Sequence, residues 1–126
     1  VDLLEKAMAW LEGKRHELRT GEITYVRGGE SVLLRATVGK TVFQTQNAHG
    51  ILETTESRDF LVRTRDLVLG GSQTFPHRGD RIREERDGTV YVYEVMAPGR
   101  EPHYRFSDPY RYTLRIHTKQ IDVETV

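Results

Sequence analysis

The chain has 126 residues, of which 37% are hydrophobic and 30% charged, and its 19 Lys and Arg are balanced by 19 Asp and Glu. That length suits one domain with a modest core, and the cancelled charge supplies no global field for coating nucleic acid or an anionic membrane. Cysteine is absent, which excludes disulfides, thiol nucleophiles and Cys-type zinc sites and suits a reducing compartment. Apolar runs such as "SVLLRATV" and "TVYVYEVMA" are too short to span a bilayer, and the first residues lack the basic-then-apolar order of a secretion signal. A soluble, unsecreted protein is expected.

The opening segment reads as the one helix, about residues 2–19. Asp2 and Glu5 make a capping-box pattern, Leu4, Ala7, Met8, Leu11 and Leu18 recur at helical spacing, Lys14, Arg15 and Arg19 suit the far end of the macrodipole, and Gly21 stops it. From there the period becomes twofold. "EITYVR" and "SVLLRATV" flank Gly28-Gly29, a hairpin signature, with Val32, Leu34, Ala36 and Val38 on one face. "KTVFQT" is a further short strand. "QNAHGILETTESR", residues 46–58, loses periodicity and reads as either a long mobile loop or an extended hairpin arm.

"RDFLVRTRDLVL" is a strand followed by an apolar segment that closes the core. The stretch "FPHRGDRI" contains Arg78-Gly79-Asp80, a tripeptide that adhesion receptors read on exposed loops. Here Pro76 fixes φ, Gly79 permits a turn and Asp80 can accept from nearby backbone amides, so a strand-entry turn is expected. "RIREER", Asp87-Gly88 and "TVYVYEVM" form the clearest hairpin, with Tyr91, Tyr93 and Val95 facing one way and Val90, Val92 and Met96 the other, in a strand covered on both sides. In "YRYTLRIHT", Tyr110, Tyr112, Leu114 and Ile116 alternate with Arg111, Thr113, Arg115 and His117. The end, "KQIDVETV", about residues 119–126, either continues this strand or hangs free, and is expected as a flexible tail. One helix and about seven strands predict a mainly β (α+β) single domain, a small antiparallel barrel or sandwich with the helix packed on it.

Catalytic signals are scattered. The five histidines, His16, His49, His77, His103 and His117, have no metal-ligand spacing, no serine stands in a nucleophile elbow, and the glycine pairs do not open helices. The carboxylate pairs Glu84-Glu85 and Asp59-Asp66 read as solvated strand-rim charges. Neither enzyme chemistry nor a metal or cofactor is expected. Arg111 and Arg115, with Thr113 between them and Tyr104 and Arg105 nearby, form the candidate DNA-facing basic face.

Over most of the chain, and best from Arg58 to Pro98, the order of segments resembles the head-tail joining (head completion) proteins of long-tailed phages. Phe60, Val62, Arg63, Thr64, Arg78, Gly79, Asp80, Tyr91, Val92 and Val95 carry the likeness; the stretch "LVLGGSQTFPH" and the ending after Ile116 depart from it. The resemblance implies a non-enzymatic virion protein, assembled in the host cytoplasm, that joins portal or adaptor proteins to tail proteins of the same phage. It would self-associate in a ring that closes the DNA-filled head, with incidental DNA contact in the channel and no membrane partner. A tail terminator or other tail connector, or a small adaptor binding a host protein, is the alternative. Residues 46–58 and 119–126 are the expected parts that order on assembly, with Gln46, Asn47, His49, Ile51, Leu52, Glu53, Glu56, Arg58, Lys119, Ile121 and Val123 as the candidate interface.

Overall fold

The structure, a computed structural model, describes residues 20–125, so the helix expected over residues 2–19 lies outside the described residues. Nine strands follow one another: β1 Thr20–Arg27, β2 Glu30–Gln46, β3 Leu52–Arg63, β4 Val68–Leu69, β5 Ser72–Gln73, β6 Arg81–Arg86, β7 Thr89–Val95, β8 Tyr104–Phe106 and β9 Thr113–Thr125. A 3-10 turn, Thr64–Asp66, sits between β3 and β4. All pairings are antiparallel.

Seven strands form one sheet in the order β3-β2-β1-β6-β7-β9-β8, and β4 and β5 form a small separate ribbon. The mainly β expectation holds, with more strands than about seven. The sheet rolls back far enough for β3 to pair with β9 as well as with β2. It is a rolled sheet and not a closed barrel, the first of the two forms expected. β1 meets β6 over only the three pairs from Thr24↔Arg83 to Val26↔Arg81, β8 remains an edge strand, and the far part of the β2–β3 hairpin has no third strand among the described residues.

Alternation on the paired strands builds the core. Ile23, Tyr25, Leu34, Ala36, Phe60, Val62, Ile82, Tyr93, Val95, Leu114 and Ile116 turn inward, and the Phe60 and Tyr93 rings meet edge to face at 5.3 Å. Leu67 and Leu69, from the apolar segment after β3, cap one end of this core. On β7 the opposite side is buried too, as its twofold pattern implies, because Val90 and Val92 are covered. Arg83 of β6 and Glu124 of β9, the strands on either side of β7, join at 2.5 Å across that outer face.

Several elements differ from the reading of the sequence. "SVLLRATV" and "KTVFQT" are one 17-residue strand, since Gly39 continues β2 rather than ending it. A Cβ at Gly39 would stand 3.2 Å from Arg115 Nη2, so glycine leaves the space that the guanidinium occupies. At the other terminus, residues 119–125 are not a flexible tail: they continue β9 and pair with β7 from Thr118↔Val95 to Thr125↔Thr89. The alternation drawn through Tyr110 and Tyr112 begins only at Thr113, because residues 108–112 form a turn in which Asp108 accepts from the backbone N–H groups of Tyr110, Tyr112 and Thr113.

The Arg78-Gly79-Asp80 turn is built inward. Gly79 has φ of +90°, a left-handed conformation that glycine adopts without strain. Asp80 is buried, accepting from Tyr25 Oη, from Arg27 Nη2 at 2.8 Å and from the His77 backbone N–H at 2.9 Å. Arg27 also reaches Thr74 Oγ1 and the Phe75 carbonyl, tying β1 to the loop that leads into β6. Burial raises the Asp80 carboxyl, but the hydrogen bonds from Arg27, Tyr25 and His77 outweigh it and leave it below the ordinary carboxylate range. An acid so engaged is a structural tie, not an exposed receptor ligand. Asp80→Ala leaves Tyr25 Oη without its acceptor and Arg27 without its ion-pair partner and should cost about 3 kcal/mol in urea unfolding, whereas the neighbouring exposed Arg78→Ala should change stability by less than about 0.5 kcal/mol.

Candidate assembly interface

β3 and β9 run together from Arg63↔Thr113 to Arg58↔Thr118 and then part. Beyond this fork β3 stays with β2 as a two-stranded arm, while β9 continues along β7. Six residue steps separate the fork from the last arm pair, Gln46↔Leu52, which at about 3.3 Å per residue makes the arm roughly 20 Å long.

One carboxylate holds the fork. Asp59 is fully buried and accepts from side chains on three strands: Thr41 of β2, Ser57 of β3 at 2.5 Å, and Arg115 Nε at 2.7 Å and His117 Nδ1 at 2.8 Å, both of β9. The arm's Phe43 sets its ring edge on His117 at 5.4 Å, and Arg115 Nη2 also donates to the Lys40 carbonyl. Burial raises the Asp59 carboxyl, but hydrogen bonds from His117, Ser57, Thr41 and Arg115 more than reverse this and lower it from 3.8 to about 2. Ser57, His117 and Asp59 are not a nucleophilic relay. The serine donates directly to the carboxylate and lies 3.4 Å from the same imidazole nitrogen that faces Asp59.

On the inner side of the fork, Arg58 is committed to the roll. It reaches Glu84 at 2.7 Å and lies over the Phe60 and Tyr93 rings at 5.6 and 5.2 Å. Arg86 also approaches Glu84 and stands 3.9 Å over Tyr91. The two carboxylate pairs read from the sequence do not converge: Glu84 and Asp59 are buried on separate networks, and Glu85 and Asp66 are exposed.

Of the two readings of residues 46–58, the structure has the hairpin arm. Gln46 ends β2, and Leu52, Glu53 and Glu56 are strand residues of β3, so the segment is not a loop waiting to order. The tip is a folded turn. Asn47 Oδ1 accepts from the backbone N–H groups of His49 and Ile51, Asn47 Nδ2 donates to Glu53, and Gln46 Nε2 donates to the Gly50 carbonyl. Val42, Ile51 and Leu52 are 52%, 60% and 67% exposed, which leaves three aliphatic side chains uncovered along the arm.

Lys119, Ile121 and Val123 stand on β9 past the fork. Glu56, Arg58 and Lys119 line one depression between the diverging strands. Ile121 and Val123 lie farther along and do not join it, although both are exposed. The edge of β3 at residues 52–57 and the edge of β9 at residues 119–125 that faces away from β7 have no strand partner among the described residues. The proposed basic face does not form, because Arg115 is bound to Asp59 at the fork while Arg111 sits in the turn before β9, over the Phe106 ring at 5.3 Å. Sequence reasoning missed Asp59 as the fork's anchor. Its only signal was spacing: Ser57 and Asp59, and Arg115 and His117, each stand two apart and therefore share a face.

The model of the phage head-tail joining protein family matches residues 1–125. The chain belongs to the phage head-tail joining protein family. That places it among structural proteins of the phage head-tail connection, in agreement with the resemblance carried by Phe60, Arg63, Gly79 and Val92. No curated protein matches it.

The fork gives this head-tail joining chain a specific acid sensitivity. Because the Asp59 carboxyl is lowered in the folded state to about 2 from 3.8, its contribution of about 2 kcal/mol is present above pH 4 and is lost as pH falls toward 2. Urea unfolding at a series of pH values should show that loss in the wild type. The difference between wild type and Asp59→Asn should shrink across the same window, and a difference independent of pH would refute the assignment.

Proposed function

We propose that the chain binds the portal end of a DNA-filled phage head and assembles there into a ring of copies that accepts the tail, acting without catalysis. The observation that carries this reading, given the family, is the arm: a preformed hairpin about 20 Å long, latched to the sheet by Asp59 and carrying exposed Val42, Ile51 and Leu52. Three exposed aliphatic residues on one hairpin give a neighbour apolar surface to cover. Among the described residues the edges of β3 and β9 on either side of the fork have no strand partner, which suits strand addition by a neighbour. A ring follows when the arm of each copy meets a different surface of the next and the rotation closes.

Since the arm is already folded, its use at an interface costs little conformational entropy, and assembly would be set by the template rather than by ordering a loop. Residues 119–125, held in β9, serve as a fixed edge in the same way. The charges at Lys119, Asp122 and Glu124 along that edge discourage uncontrolled pairing of free copies.

Purified protein added to DNA-filled, tail-less heads should cosediment with them and appear by electron microscopy as a ring at a single vertex, with tails then accepted. The double variant Ile51→Ser, Leu52→Ser should keep its unfolding midpoint, because both side chains are exposed, yet lose about tenfold or more in head binding. Failure of the wild type to join heads would overturn the reading.

A further inference from the structure

A second surface lies away from the arm, at the end of the roll where β3 finishes and β9 begins. Arg63, Thr64, Arg65, Gln73, Tyr110, Arg111, Tyr112 and Thr113 line a cleft of about 850 Å³, within the range of ligand-binding clefts, about 300–1,000 Å³. Three features of it stand out, although Arg111 also lies over the Phe106 ring. Tyr110 and Tyr112 are 75% and 71% exposed and lie side by side, their rings 5.8 Å apart and 25° from parallel. Arg63 and Arg111 make no ion pair among the described residues, and Arg65 has only a 4.0 Å approach to the adjoining Asp66. Thr64 Oγ1 is buried without a hydrogen-bond partner among the described residues.

The turn that presents the tyrosines is held in place. Asp108 accepts from the backbone N–H groups of Tyr110, Tyr112 and Thr113, at 3.1, 3.1 and 2.8 Å, and Arg111 is held at φ of +62°, a conformation unusual for a side-chain-bearing residue. Asp108, the acid nearest the rings in sequence, stays ionised with its oxygens taken by these N–H groups, and Asp66 stands beside Arg65. The lining itself holds Arg63, Arg65 and Arg111 and no acid, so the cleft wall is basic although the whole chain is neutral.

From this geometry we propose that the cleft binds unpaired nucleotides of a single-stranded nucleic acid, with bases stacking on Tyr110 and Tyr112 and phosphates meeting Arg63, Arg65 and Arg111. Flat aromatic faces beside guanidinium groups are the combination that single strands use, because every base has a stacking face and every linkage a negative charge. Paired bases in a duplex hide those faces and leave only the phosphate attraction. An acidic peptide would engage the arginines but has no use for two adjacent exposed rings. The inference does not depend on the assembly reading: it rests on the cleft alone and is tested without phage heads.

The test is fluorescence anisotropy of a short labelled oligothymidylate, alone and annealed to oligodeoxyadenylate, with the full chain at low salt. The single strand should bind more tightly than the duplex, and added salt should weaken it steeply. Tyr110→Ser with Tyr112→Ser should weaken single-strand binding by about tenfold or more while leaving duplex binding unchanged. Tyr110→Phe with Tyr112→Phe should restore it, and Arg63→Ser with Arg65→Ser should flatten the salt dependence. All these side chains are exposed, so the unfolding midpoints should match the wild type. Equal affinity for duplex and single strand, indifference to the tyrosine substitutions, or displacement of the oligonucleotide by polyglutamate at equal charge concentration would each overturn the proposal.

Discussion

The arrangement of this protein turns on one buried carboxylate. Asp59 sits where three strands meet and binds a side chain from each: Thr41 on β2, Ser57 on β3, and Arg115 and His117 on β9. An apolar cluster of the same volume would hold the strands together as strongly, but it would not specify direction. Hydrogen bonds to a carboxylate do. They set the register of β3 against β9 and leave β3 aimed away from the sheet with β2 at its side. Gly39 belongs to the same device, because its missing Cβ admits the Arg115 guanidinium to the joint.

The remaining polar networks stiffen the body from which the arm projects. At one end of the roll Asp80 ties Tyr25 and Arg27 to the turn entering β6; elsewhere along it Arg58, Glu84 and Arg86 lie against Phe60, Tyr91 and Tyr93. Between them lies the core, in which Tyr25, Phe60, Leu67, Ile82, Leu114 and Ile116 are fully enclosed. An exposed arm suits a component whose surfaces meet neighbours, in keeping with its family.

Much of this was legible where burial imposes a period. Ile82, Tyr93, Val95, Leu114 and Ile116 alternate because one face of each strand meets the core, and Gly28-Gly29 and Asp87-Gly88 mark their hairpins openly. The family was legible on the same strands. The arm was ambiguous for a physical reason: residues 51–56 are exposed on both faces, so no selection for alternation acts on Leu52, Glu53, Thr54, Thr55 and Glu56, and a paired strand reads as loop. Tyr110 and Tyr112 misled in the opposite sense, since their spacing continues that of Leu114 and Ile116, yet Pro109 and the Asp108 carboxylate bend them into a turn. Asp59 and Arg115 were invisible as a pair because 56 positions separate them in sequence.

On the proposed function the arm is folded before assembly and is covered by it. Hydrogen exchange followed by mass spectrometry on the free protein and on protein joined to heads measures both at once. Cross-strand amides of residues 41–57 should exchange more slowly than in an unstructured peptide in the free protein, and more slowly again once heads are bound. Exchange at unstructured rates in the free protein, or an arm unchanged while other surfaces gain protection, would contradict it.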